Sequence, residues 1–208
     1  MELMDAIYHR RAVRHYTEQP VPKTAVMALL QAAVQAPSAV NQQPWAFAVI
    51  RGRKRLDRYS ERARQHMLAT LPQSLALHGR SDVLTNPSYN VFHHAGTLIA
   101  IYAKPARFDP TEDCCLAAQN LMLAAHGMGL GSCPIGFVRP WLNLEEIKAE
   151  LGIPLNYSAV MPMVIGWPAG PMAPVPRNEP EIASWAESAD EMPAEPAHLE
   201  PDNPGKGT

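Results

Sequence analysis

Apolar positions along this chain come in short blocks whose spacing alternates between helical and extended patterns. Met4, Ile7 and Tyr8 recur at helical steps and stop at the basic run His9-Arg10-Arg11. Glu18 to Pro22 can only be a loop or an extended entry, and Pro22 suits the first turn of the following helix, where its missing N–H costs nothing. From Thr24 to Gln35, Val26, Leu29, Leu30, Ala33 and Val34 share one face, and that helix must stop before Pro37. Trp45 to Ile50 predicts a strand, and residues 53 to 69 a basic helix with Arg and Lys toward solvent. Residues 70 to 92 are weakly periodic and predict an excursion over the surface. Thr97 to Tyr102, apolar without a break, predicts a buried strand.

The longest helical signal runs from Thr111 to Met128. Leu116, Asn120, Leu123, Ala124 and Met128 succeed one another at steps of three and four, and Gly127, Gly129 and Gly131 mark its close. Its small, apolar surface predicts a central position or a subunit interface. Asn143 is expected to cap a short helix with Glu146 as its box partner, and Val160 to Trp167 to form the last strand. Beyond Trp167 the prolines at 168, 171, 174, 176 and 180 predict an extended arm. Helices and strands without a steady β-α-β rhythm predict an α+β fold. One domain over 1–185 followed by an acidic, Pro-rich, disordered tail over 186–208 is the expected organisation.

Composition narrows the function. The 208 residues fit one domain better than two, and the net charge of −2 conceals an asymmetry. Residues 1–177 carry 17 Lys and Arg against 12 Asp and Glu, while 178–208 carry one Lys against eight acids. A mildly basic body suits a small phosphorylated ligand, but it lacks the basic excess of a dedicated nucleic-acid binder. No apolar stretch is long enough to cross a bilayer, and the N-terminus lacks an export pattern, so a cytoplasmic protein is expected. Cys114, Cys115 and Cys133 are odd in number and give neither a disulfide framework nor a zinc-type C-x₂-C pair.

Three local features carry candidate chemistry. Arg10, Arg11 and Arg14 lie within five positions, and guanidinium forks match phosphate and flavin carbonyl oxygens. The plain alternative is a set of surface arginines complementing a helix end. Ala36 to Trp45 is a polar loop framed by Pro37 and Pro44; it could present N–H and C=O groups to a heterocycle, or simply stop a helix and turn. Gly127, Gly129 and Gly131 end a helix and lead into a strand, the reverse of a dinucleotide-binding fingerprint. His93 and His94, on the approach to a strand, are expected to point to opposite faces, which is poor metal geometry. His126 is more often a packing residue than a ligand, and Cys133 has no base placed to activate it. No metal site and no acid/base machinery is evident, a lack that chemistry borrowed from a cofactor would explain.

Taken in order, these segments resemble the FMN-dependent nitroreductase family. The resemblance rests on Arg10-Arg11-Ala12-Val13-Arg14 with Pro20-Val21-Pro22, and on Pro37-Ser38-x-x-Asn41-x-Gln43-Pro44-Trp45. Further support comes from Ala118-Gln119-Asn120-Leu121-Met122 running into Gly129-Leu130-Gly131, and from Pro176-Arg177. It implies a central, mainly antiparallel sheet flanked by helices, a homodimer with FMN at the interface, and a domain-swapped C-terminal arm wrapping the partner. Arg10, Arg11 and Arg14 would hold the phosphate, ribityl chain and pyrimidine edge, with Ala12 contacting the flavin through its backbone alone and Arg177 on the phosphate. Pro37, Ser38 and Asn41 would come from the other subunit. Pro134, Ile135 and Gly136 would lie along the isoalloxazine with one N–H facing N5, and Gln65 is the candidate reader of a pyrimidine carbonyl. Ala12 stands where the family usually has serine, and Val175 where it usually has lysine.

The activity so implied is a two-step exchange. NADH or NADPH gives hydride to flavin N5 and leaves, after which a nitroaromatic, quinone or enone is reduced, with protons from water. Reductive dehalogenation, dehydrogenation or flavin cleavage on the same scaffold, and a non-catalytic FMN sensor or store, remain the alternatives.

Overall fold

The computed structural model describes residues 1–70 and 81–186. The expected tail therefore lies, from residue 187 on, outside the described residues, as does the middle of the 70–92 segment. Contacts divide the chain into two units, Met1–Val175 and Pro176–Thr208, and all regular structure described below belongs to the first.

Its centre is a four-stranded antiparallel sheet of β1 (Trp45–Arg51), β2 (Thr97–Ala103), β3 (Gly131–Pro134) and β4 (Ser158–Gly166), in the order β1-β2-β4-β3. All seven residues of β2 are buried, as its unbroken apolar run predicts, because it pairs on both sides and is covered on both faces. Over one face lie α2 (Lys23–Ala33) and α5 (Thr111–Gly127), packed on Leu29, Ile99, Ile101, Leu121 and Ile165. Over the other lie α3 (Arg53–Thr70) and the short α6 (Arg139–Leu142) and α7 (Glu145–Leu151), around Leu56, Phe92, Tyr102 and Trp141. The remaining helices are α1 (Leu3–His9) and α4 (Ser81–Thr85). No helix among the described residues is long and apolar enough to cross a membrane.

Four expectations need correction. The face of α5 turned inward is Cys114, Ala117, Ala118, Leu121, Met122 and Ala125, while Leu116 is exposed. Small side chains let a helix approach a sheet closely, so the alanine-rich face wins the interior over the bulkier stripe that periodicity picks out. Asn143 does not cap α7, whose N-cap is Leu144. Its amide instead ties α6 to β4, accepting from the Ala159 N–H at 2.9 Å and donating to the Arg139 carbonyl at 3.0 Å. The 70–92 excursion ends in the core, where Val91 and Phe92 are fully buried and Ser60 Oγ accepts the Val91 N–H at 2.8 Å. His93 and His94 both take left-handed backbone angles, φ 53° and 55°, so they turn a corner there and do not alternate along an extended segment.

Candidate functional site

The arginine segment leaves α1 and runs alongside β3, tied to it by an isolated bridge. Ala12 pairs in parallel with Ser132, and the Val13 N–H donates to the Ser132 carbonyl at 2.9 Å. Tyr16 pairs antiparallel with Pro168, and its hydroxyl donates to the Val13 carbonyl at 2.6 Å. Two glycines make this approach possible. A Cβ on Gly131 would lie 2.7 Å from Val13 side-chain atoms, and one on Gly166 would lie 2.7 Å from the Tyr16 ring.

Within this segment Arg11 is half-buried, and its Nη1 donates to the Tyr8 carbonyl at 2.6 Å and the Arg10 carbonyl at 2.8 Å. Its Nε is buried and, among the described residues, has no partner. Arg14 is exposed, and its charge reaches Tyr89, His93 and Cys133. Burial pushes the His93 imidazole down to about 4, helped by the charges of Arg14, His15 and His94, so it is neutral near pH 7. Burial raises the Cys133 thiol, with Arg14 and Arg10 opposing, and leaves it a protonated, non-nucleophilic group.

At the end of β3 the chain turns past Pro134, Ile135 and Gly136. The Ile135 N–H donates to the Pro162 carbonyl at 2.8 Å, and Pro134 has no N–H. Gly136 is exposed, and a Cβ there would meet nothing within 4 Å. The space beside the Gly136 Cα is therefore open.

The polar loop is built separately. Val40, Asn41 and Gln43 hold left-handed φ of 45°, 56° and 48°, a costly state for three non-glycine residues in four positions. Side chains hold it in place: Ser38 Oγ accepts the Gln43 N–H at 2.9 Å, and Gln43 Nε2 donates to Asn41 Oδ1 at 3.0 Å. Both oxygens of the buried Asp113, in the first turn of α5, accept the Ala39 N–H at 3.2 and 3.3 Å. Sequence reasoning missed Asp113, whose only signal is an acid in the first turn of a helix that buries it.

These two features do not meet within one chain. The loop feeds β1 at one edge of the sheet, and the arginines flank β3 at the other, three strand spacings or about 14 Å apart. Register widens the gap, since Pro134 aligns through Met163 and Ile99 with Val49, four residues along β1 from Trp45. Arg177 belongs to the second unit and is exposed, with Nη1 donating to the Pro176 carbonyl at 3.2 Å. Gln65 is exposed on α3 and donates to Glu61 Oε1 at 2.8 Å.

Residues 7–167 match the family model described as the nitroreductase family. The chain belongs to the nitroreductase family. A protein of Archaeoglobus fulgidus named provisionally as an NADH dehydrogenase/NAD(P)H nitroreductase is 30% identical over 168 residues, which cover 80% of this chain and 86% of that protein. The iodotyrosine deiodinase of Thermotoga neapolitana is 25% identical, with 85% of this chain and 94% of that one covered. Among solved structures, a nitroreductase with bound FMN from Bacteroides fragilis superposes with a TM-score of 0.78 at 25% identity, covering 90% of this chain and all of that one. The antiparallel sheet flanked by helices is the nitroreductase fold.

Proposed function

We propose that this nitroreductase is an NAD(P)H-dependent FMN oxidoreductase that reduces nitroaromatic, quinone or enone acceptors. The observation that carries the reading is the buried, unpartnered Nε of Arg11 in a cationic segment fixed against β3. A buried donor without an acceptor costs roughly 1–3 kcal/mol, a cost that a bound anion removes. The residues present fit FMN on two counts: an orphaned guanidinium donor with neighbouring arginines for the phosphate, and open space beside Gly136 at the end of β3.

FMN, when bound, supplies a two-electron carrier that accepts hydride from NAD(P)H and returns it to the second substrate. The chain's own part is binding and electrostatics. The Tyr8 and Arg10 carbonyls fix the Arg11 guanidinium before any ligand arrives, so little ordering is left to be done on binding. Arg10, Arg14 and Ala12 follow along the same segment, and Arg177 is proposed as a further phosphate partner. With Ile135 engaged and Pro134 lacking a donor, Gly136 is the group of that turn left to face N5. Neutral His93 is no proton donor near pH 7, which supports water as the proton source. Pro37, Ser38 and Asn41 are proposed to act on the partner's site in a homodimer, because in their own chain they lie at the far edge of the sheet. The arm after Trp167 is proposed to reach across to that partner.

The test is direct: the purified protein is expected to be yellow, to bleach with NADPH or NADH, and to regain colour when a nitroaromatic is added. A colourless protein that fails to take up FMN overturns the reading. The deiodinase likeness supports a second reading, reductive dehalogenation on the same scaffold; iodide release from an iodotyrosine at a rate above that of nitro reduction would favour it.

A further inference from the structure

A polar cleft of about 420 Å³ opens at the end of the sheet where β1 begins, β2 ends and β4 begins. The antiparallel register brings these three ends together, because Trp45 pairs with Ala103 and Ala103 with Ser158. Pro44, Lys104 and Tyr157, one residue beyond each pairing, line the cleft together. The Lys104 N–H donates to the Pro44 carbonyl at 2.7 Å and carries the β1–β2 ladder one step further, which fixes the base of the lysine. Gln42 forms another wall and is held at both ends of its amide. Its Oε1 accepts the Arg107 N–H at 2.9 Å, and its Nε2 donates to the Ala39 carbonyl at 3.3 Å.

Charge at this end of the sheet is unbalanced. Lys104 is half-buried and makes no ion pair among the described residues. Two acids that follow it in the chain are committed to backbone: Asp109 Oδ1 accepts the Thr111 N–H at 2.9 Å, and both Asp113 oxygens accept the Ala39 N–H. A half-buried ammonium without a counter-charge has given up hydration with no return, and a bound anion restores the balance. Among the described residues Lys104 is the only cation in the lining, which matches a single negative charge better than a phosphate dianion. The neighbouring Arg107 lies over the Phe108 ring instead. Pro44, Pro105 and Tyr157 supply flat apolar faces for a ring, and Asn156 an amide for a further hydrogen bond.

We propose that this cleft binds a small ring-bearing monocarboxylate, with its carboxylate on the Lys104 ammonium and its ring against the two prolines. None of Lys104, Asn156 and Tyr157 belongs to a segment assigned to FMN, so the site stands or falls independently of the flavin reading.

The experiment titrates the FMN-saturated protein with sodium benzoate by calorimetry, with benzamide and sodium phosphate as comparators at matched ionic strength. In crystals, 4-bromobenzoate is located by the anomalous signal of its bromine. Saturable benzoate binding and a bromine peak beside Lys104 are expected, with benzamide and phosphate each about tenfold weaker or more. Lys104→Met should weaken benzoate binding about tenfold or more, the range for one charge-assisted hydrogen bond, and Lys104→Arg should keep most of it. Asn156→Asp, at an exposed position, should weaken it severalfold by placing a negative charge in the lining. Benzoate binding unmoved by both Lys104→Met and Asn156→Asp, benzamide or phosphate bound as tightly as benzoate, a bromine peak found only elsewhere, or no saturable binding overturns the proposal.

Discussion

Arg11 gives one nitrogen to two carbonyls of its own helix end and leaves its buried Nε unmatched. Replacing it with alanine should therefore weaken FMN binding about 10- to 100-fold, the range for one charge-assisted bond, as read by quenching of flavin fluorescence. Arg11→Lys should recover little, because an ammonium cannot present the fork. Asp113 acts on backbone. With Asp113→Ala the Ala39 N–H loses both acceptors beside three left-handed residues, and urea unfolding should show about 1–3 kcal/mol less stability. His93 sets a pH dependence. Its folded value lies near 4, below the ordinary 6.5, so between those limits the unfolded chain binds the extra proton and stability falls as pH falls. His93→Gln should flatten the decline in unfolding midpoint between pH 6.5 and 4.

At the scale of elements, the bridged segment Arg10–Tyr16 depends on two missing side chains elsewhere. Gly131→Ala drives a methyl into Val13 and Gly166→Ala one into Tyr16, and either should move the segment and its arginines off β3. Loss of about 1–3 kcal/mol in stability, with weakened FMN uptake, is the expected outcome by denaturation and flavin titration. Such couplings mark where sequence reading stops. The strands and long helices were legible because runs such as Thr97–Tyr102 and Thr24–Gln35 obey local periods, and the arginine cluster because it is contiguous. The pairing of Ala12 with Ser132 was not, because it joins segments 120 residues apart and leaves no pattern in either. Asn143 misled for a related reason: a cap motif reads the same whether the amide turns to its own helix or to a neighbouring strand.

On the scale of the whole molecule, the first unit leaves apolar groups exposed on several helices, among them Met4 and Ile7 on α1, Met27 on α2 and Leu116 on α5. In the proposed homodimer, the loop of a second copy would complete each site. Light scattering should report a dimer, and Leu116→Asp combined with Met4→Asp should yield monomers with weakened FMN binding. The position of β2 has a further consequence during synthesis. It leaves the ribosome well before β4, which pairs with it on the side away from β1. For some fifty residues of translation the nascent chain carries an uncovered, uncharged ribbon able to adhere to its own kind. A chain terminated before Ser158 should therefore collect in the insoluble fraction, whereas one ended after Val175 should not.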